Sequence, residues 1–300
     1  MVVVKPKPPP PTRWPIHLGR AVGRCDDFYA IGYTPDLDEQ EKEIDPTHRA
    51  FAFVFRFQAT ARTTVDRLKV RLEDLWQPPR GPILSVGTPR GIIEIEPTGL
   101  REVALPFQTD ILVSIWGADD AHVFAAGGML DPCALYRRHG QWTQLTLPAG
   151  TAPIFDVRGQ REDEVYFVGE AGQIHYWNGR QLFRLPSPTT RPLVKLARLD
   201  DRYMCAAGYD GTLLMGNKNG WRIIPTQTGE NLLSMGDLGG KVYYGANGAV
   251  WSFDGRSLPV IAIDTPADWV NGLADGLLVV NVEKAKLYRA GTLIDLDTIL

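Results

Sequence analysis

Along most of the chain, apolar and polar residues alternate in short runs, and the runs stop every few residues at Gly, Asn or Asp. The pattern is cleanest between 151 and 189. There IFDVRG (154–159), EVYFVGE (164–170), QIHYW (173–177) and QLFRLP (181–186) are four runs rich in Val, Ile, Tyr and Phe, separated by two to four residues. A period of two puts successive side chains on opposite faces of a strand, so these runs predict a four-stranded meander. NG in WNGR (177–180) and KNGW (218–221), and DG in FDGR (253–256), suit hairpin turns whose central residues need positive φ. Helical periodicity is nearly absent. TARTTVDRLKVRLEDL (60–75) suits a short helix or, by its Thr and Val content, a strand.

The pattern repeats. Turn glycines recur at Gly99, Gly140, Gly179, Gly220, Gly255 and Gly291, with gaps of 41, 39, 41, 35 and 36. A second mark, an apolar run closing on Gly, recurs at Gly87, Gly127, Gly169, Gly208 and Gly245, and Asn281 takes the next slot. Its gaps are 40, 42, 39, 37 and 36. YAIG, ending at Gly32, carries the same mark earlier in the chain. Two independent marks with one period, and four strands per unit of roughly 40 residues, predict propeller blades. The expected fold is all-β: a seven-bladed β-propeller of four-stranded antiparallel blades, with six or eight blades as the alternatives. Blade bounds are expected near 14–73, 74–108, 109–150, 151–189, 190–228, 229–265 and 266–300. A blade buries its faces against its neighbours, so 14–300 is expected to be a single domain. Residues 1–13 form a Pro-rich extended leader. Its KPKPPPP stretch favours polyproline II, as a stiff lead into the first strand or as an SH3-type ligand. The run LIDLDTIL is expected to form the outer strand of the last blade, with MVVV pairing beside it to close the ring.

IWGADDAHVFAAGG followed by LYRRHGQW resembles a bacterial β-propeller repeat family. That repeat runs Trp-Gly, a short acidic link, Val-Trp/Phe-Ala-Val-Gly, then Gly-x-Ile-x-His-Tyr-x-Gly-x-x-Trp. VRGQREDEVYFVGEAGQIHYWNGRQLF is similar to the same repeat. The resemblance is good over about 109–186 and weaker over 190–300. It implies a propeller and little about activity, because a propeller is a scaffold with many uses.

Composition narrows the function classes. The chain has 300 residues, 44% of them hydrophobic, with 30 Gly and 23 Pro, which suits a turn-rich fold with a substantial core. A net charge of −3 gives no electrostatic case for nucleic acid. Cys25, Cys133 and Cys205 are odd in number and show no CxxC spacing, which favours reduced, buried thiols. The opening run of three valines is too short for a signal segment, and no stretch reaches a membrane span. A cytoplasmic protein is expected, without a membrane partner.

No catalytic motif stands out. His17, His48, His122, His139 and His175 lack metal-ligand spacing, so no metal and no cofactor is expected, and His175 sits where the repeat family itself places a histidine. The tetrads GEAG (169–172), GYDG (208–211) and GANG (245–248) read as hairpin connections rather than phosphate cradles, which need a helix N-terminus. Acidic pairs such as Asp119–Asp120 and Asp200–Asp201 read as solvated turns rather than calcium loops.

One segment breaks the repeat. YTPDLDEQEKEIDPTHR (33–49) places Asp36, Asp38, Glu39, Glu41, Glu43 and Asp45 in an insertion between second and third strands. It is either a solvated loop or an acidic contact loop. The next longest such connection is GGMLDPCALY (127–136), carrying Met129, Leu130 and Asp131. Both belong to the propeller face that also carries the links between blades, with Tyr209 and Asp210 nearer the channel. Loops beyond what a scaffold requires are where binding concentrates. These residues are the expected partner-binding site, and no catalytic residue is assigned. An acidic loop suits a protein partner with a basic surface. The leading expectation is a non-catalytic protein-binding propeller of the bacterial cytosol, in one version an immunity protein neutralising a basic toxin. The alternatives are a propeller enzyme of glycosidase or lyase type, with acids such as Asp110, Asp156 or Asp268 around the channel, and a carbohydrate-binding lectin.

Overall fold

The structure is a computed structural model that describes residues 17–37, 43–58, 61–68, 71–88, 91–97, 99–109, 111–281 and 284–296. These residues form seven antiparallel sheets of four strands, each built from one continuous stretch: 17–68, 71–102, 112–144, 154–185, 193–223, 236–263 and 269–295. The fold is therefore a seven-bladed β-propeller, as the two glycine marks predicted. The segment 60–75 resolves as two strands, Ala61–Leu68 and Arg71–Trp76, so the first blade ends slightly before the expected boundary. Among the described residues, no helix is long and apolar enough to cross a membrane.

The core is divided among the blade interfaces. Among the described residues there are seven buried clusters, and each joins two neighbouring blades. One example packs Phe124, Ala126 and Ala134 of the third blade on Val157, Val165, Phe167 and Trp177 of the fourth. Burial at about 25 cal/mol per Å² drives this packing, and no blade retains it alone. Indole rings lock two interfaces. Trp76 lies over Gly117 and Trp116 over Gly159, where a Cβ would meet ring carbons at 2.4 Å and 2.8 Å. Trp116-Gly117 thus serves both contacts: its glycine leaves room for Trp76 and its indole covers Gly159.

The sequence marks have direct structural causes. Turn glycines 99, 140, 179, 220, 255 and 291 all have positive φ and sit between third and fourth strands. At the second mark, a Cβ on Gly127 would lie 2.1 Å from the Ile111 carbonyl, where the link enters the inner strand. The following residue, Gly128, donates its N–H to that same carbonyl at 2.8 Å. Glu170 and Tyr209 repeat the bond on Pro153 and Pro192.

The ring closes where the seventh blade meets the first. Ala274 donates to the Gly23 carbonyl at 2.8 Å, and the Asp275 carboxylate accepts from the Cys25 N–H at 2.7 Å while pairing with Arg24 and Arg289. Thr292–Asp295 is the outer strand of the last blade. The leader, the MVVV pairing and the last four residues of LIDLDTIL lie outside the described residues.

Candidate functional site: the channel and its mouth

Each blade lends the channel the first part of its inner strand, and one slot there is nearly always polar. Going round the ring it holds Arg20, Asp74, Ser114, Asp156, Lys195, then Ser234 just ahead of the sixth blade's inner strand and, in the seventh blade, Trp269. The following residue faces the core, and in four blades its N–H donates to the slot side chain of the preceding blade. Ile115 N–H donates to Asp74 Oδ2 at 3.1 Å, Val157 N–H to Ser114 Oγ at 3.2 Å, Leu196 N–H to Asp156 Oδ2 at 2.7 Å, and Val270 N–H to Ser234 Oγ at 2.8 Å. The slot side chains thereby satisfy inner-strand amides that have no fifth strand to bond, since an unpaired buried N–H is costly.

The half of the ring from the first to the fourth blade is saturated. Arg20 stacks over Trp269 at 5.9 Å and faces Asp74 at 3.6 Å. Ser114 Oγ donates to Asp156 Oδ1 at 2.5 Å. Arg158 reaches into this layer and bonds Asp74 at 2.9 Å and Asp156 at 3.2 Å. Burial alone would raise the Asp74 pKa, but Arg158, Arg20 and Lys195 outweigh it and hold the carboxyl below its ordinary range. Burial likewise works against the Arg158 charge, and Asp156 and Asp74 overcome it and keep the guanidinium charged.

Lys195 differs. Among the described residues its ammonium has no hydrogen-bond or ion-pair partner, and its side chain points into the mouth of the channel. Burial, with Arg20 adding its like charge, brings its pKa down from 10.5 to about 8, against the pull of Asp156 and Asp74. Above it opens a cavity of about 510 Å³, whose wall includes Leu18, Val113, Phe155, Val194, Leu233 and Trp269.

This mouth is on the insertion-bearing face. Strand order puts the second-to-third connections and the links between blades at one end of the channel, and Tyr209 lines the cavity from the GYDG connection. Asp210 beside it pairs with Arg191 at 2.8 Å. Met129 and Leu130 stand out from the same face, 65% and 94% exposed. Their connection is shorter than 127–136 suggested: the third strand resumes at Cys133, leaving five linking residues with Asp131 among them. It is one residue longer than the links at 170–173, 209–212 and 281–284, so exposure rather than length sets it apart. The acidic insertion is partly strand. Asp27–Leu37 and Glu43–Gln58 pair out to Leu37 with Glu43, with irregular register beyond Thr34. Asp36, Glu43 and Asp45 therefore lie on a hairpin that prolongs the first blade, while Asp38, Glu39 and Glu41 lie outside the described residues.

Other expectations resolve into structure. Asp156 is fully buried and engaged by Ser114, Leu196 and Arg158, so it is no free acid; Asp110 lies outside the described residues, and Asp268 lines the mouth. His175 is buried, bonds Gln173 at 3.1 Å, and is held neutral by burial and the nearby Arg184, its pKa brought down to about 4. Asp119 and Asp200 accept from the amides of their own turns. The three cysteines are free and buried. Among the described residues no three His, Cys, Asp or Glu side chains gather as a metal site. Trp142, Trp177 and Trp251 are buried, so they offer no repeated stacking platform for a sugar. Sequence reading passed over Arg20, Asp74 and Lys195. Their signal was a polar residue at a fixed slot of the first strand in most blades.

Comparison with known proteins agrees with this architecture. Compared with models of known protein families, the chain matches none. Among solved structures, the WD40 β-propeller domain of Doa1 is similar with a TM-score of 0.66, at 12% identity over 94% of this chain and 93% of that one. The RRP9 WD40 repeats are similar with a TM-score of 0.62, at 13% identity over 77% and 81%. In sequence, 115 residues are 30% identical to the immune protein Tsi7 of Pseudomonas aeruginosa, covering 37% of this chain and 38% of that protein. The chain thus matches well under half the length of this curated relative.

Proposed function

We propose that the chain is a non-catalytic protein-binding propeller of the bacterial cytosol, acting as an immunity protein that caps a basic toxin. The observation that carries this reading is the exposure of Met129 and Leu130 on the face that also holds the channel mouth and the acidic hairpin. Isolated apolar residues are common on surfaces, but an exposed apolar pair on the face that also opens a partly apolar cavity suits an interface. Tyr209 and Leu233, 41% and 39% exposed, add apolar surface at the channel mouth. Aromatic and apolar anchors of this kind supply most of an interface's affinity, while rim carboxylates speed the approach of a basic partner. The partial likeness to a protein named as an immune protein supports the same role. Nucleic acid and membrane are not the partners in this reading. The enzyme alternative has less support, since Asp156 is tied into the ring.

The test is capture of the chain with its bound protein from the native host. The captured protein is then expressed alone and together with the chain. A basic protein that arrests growth alone and is harmless with the chain is expected. A captured protein that is harmless on its own overturns the immunity role.

A further inference from the structure

The polar ring is a chain of contacts that runs from Trp269 through Arg20, Asp74 and Ser114 to Asp156 and stops at Lys195. The Lys195 ammonium is partly open to the cavity, and among the described residues no protein group pairs with it, so the fold leaves this one cation of the ring for water or a ligand to satisfy. The core-facing neighbour Leu196 already donates its N–H to the Asp156 carboxylate, so that amide does not need the ammonium. No carboxylate of the wall pairs with it: Glu73 is paired with Arg71, Asp74 and Asp156 attract the ammonium but are both held by Arg158, and Asp268 lines the mouth without bonding it. What would complete the site is an anion that arrives from the open side with an apolar body to fill the mouth.

We infer that the channel mouth is a binding site for a single carboxylate on an apolar stem, with Lys195 as its counter-ion and Trp269, Phe155 and Leu233 around the stem. A cavity of about 510 Å³ is of the size that holds a ligand of one or two large side chains. The carboxylate is carried by the bound protein, as a chain end or an acidic side chain flanked by apolar residues; this source rests on the protein-binding reading. The lowered pKa of Lys195 fits a site waiting for its anion, since a neighbouring carboxylate would restore the charged form. Arg20, Asp74, Asp156 and Arg158 are the charges that face it within the ring.

The probes are 3-phenylpropionate, a pentapeptide ending in phenylalanine with a free carboxylate, and the amides of both. They are titrated into the full chain carrying ¹³C-dimethylated lysines, with the Lys195 signal assigned by its loss in Lys195→Met. Saturable shifts of that signal are expected with both acids, the peptide acid binding at least tenfold more tightly than the free acid and the amides silent. Retained peptide binding in Lys195→Arg, read from tryptophan fluorescence, and at least tenfold weaker binding in Lys195→Met are also expected. Silence of both acids, or amides that bind as well as acids, overturns the site. A free acid that binds as tightly as the peptide overturns the protein-borne source and leaves a small-molecule site. None of these outcomes depends on finding a toxin, so the site and the immunity role fail separately.

Discussion

The second to fourth blades and the fifth blade place a polar residue at one and the same inner-strand slot, with opposite results. In the first group Asp74, Ser114 and Asp156 bond one another, Arg158 and the amides of the next blade. In the fifth blade, Lys195 bonds nothing among the described residues. A saturated buried polar group explains itself by the fold it holds, whereas one left open points to a ligand or to a cost carried for another reason. The same slot therefore separates scaffold from site within a single ring.

The largest effect should come from breaking the saturated half. Asp156→Ala removes the acceptor for Leu196 and Ser114 and leaves Arg158 with one fewer partner, so unfolding in urea should show a loss of about 3–5 kcal/mol. A loss under about 1 kcal/mol would mean that the ring does not hold the blades together.

Next comes acid sensitivity. His175 protonates near 6.5 in the unfolded chain and only at about 4 when folded. The unfolded state binds the extra proton in that window, so stability should fall as pH drops from 6.5 to 4, by up to about 3 kcal/mol. His175→Leu should flatten this limb of the stability curve, and an unchanged limb would assign it to other groups.

The open half should respond the other way. Lys195→Met removes an unpaired cation and should raise stability at pH 7 by about 1–3 kcal/mol. In the parent chain the lysine is neutral when folded and charged when unfolded between pH 8 and 10.5, so this group makes stability rise across that window. The rise should be missing in the variant. If Lys195→Met instead destabilises the chain, Lys195 belongs with its saturated neighbours.

Much of this was legible in the sequence because it is enforced by sterics. A turn that needs positive φ, and a strand end that meets a carbonyl where no Cβ fits, each demand glycine, so Gly179 and Gly127 repeat with the blade. The ring was not legible, since its slot accepts Arg, Asp, Ser, Lys or Trp and no single letter marks it. What recurs is a place in space where side chains of distant blades converge, which a linear pattern does not display. Asp156 was noticed as an acid but not as a bound one, because its partners Ser114 and Leu196 lie about 40 residues to either side. The insertion-bearing face was legible as far as strand order goes. The choice of Met129 and Leu130 over the longer hairpin needed their exposure.

The smallest change in stability should come from the face itself. Met129→Ser with Leu130→Ser removes side chains that the core does not use and should shift stability by no more than about 0.5 kcal/mol. Binding to the captured protein should nevertheless weaken at least tenfold in calorimetry. Unchanged affinity would move the interface elsewhere.

The most direct measurement places a photo-reactive benzoylphenylalanine at one position at a time in the native host. Leu130 and Tyr209 report the insertion-bearing face, and Arg180, in a third-to-fourth-strand turn, reports the opposite one. If the insertion-bearing face holds the partner, illumination should join one basic protein to the chain from Leu130 and Tyr209 and not from Arg180. A cross-link from Arg180 alone, or equally from both faces, would contradict it.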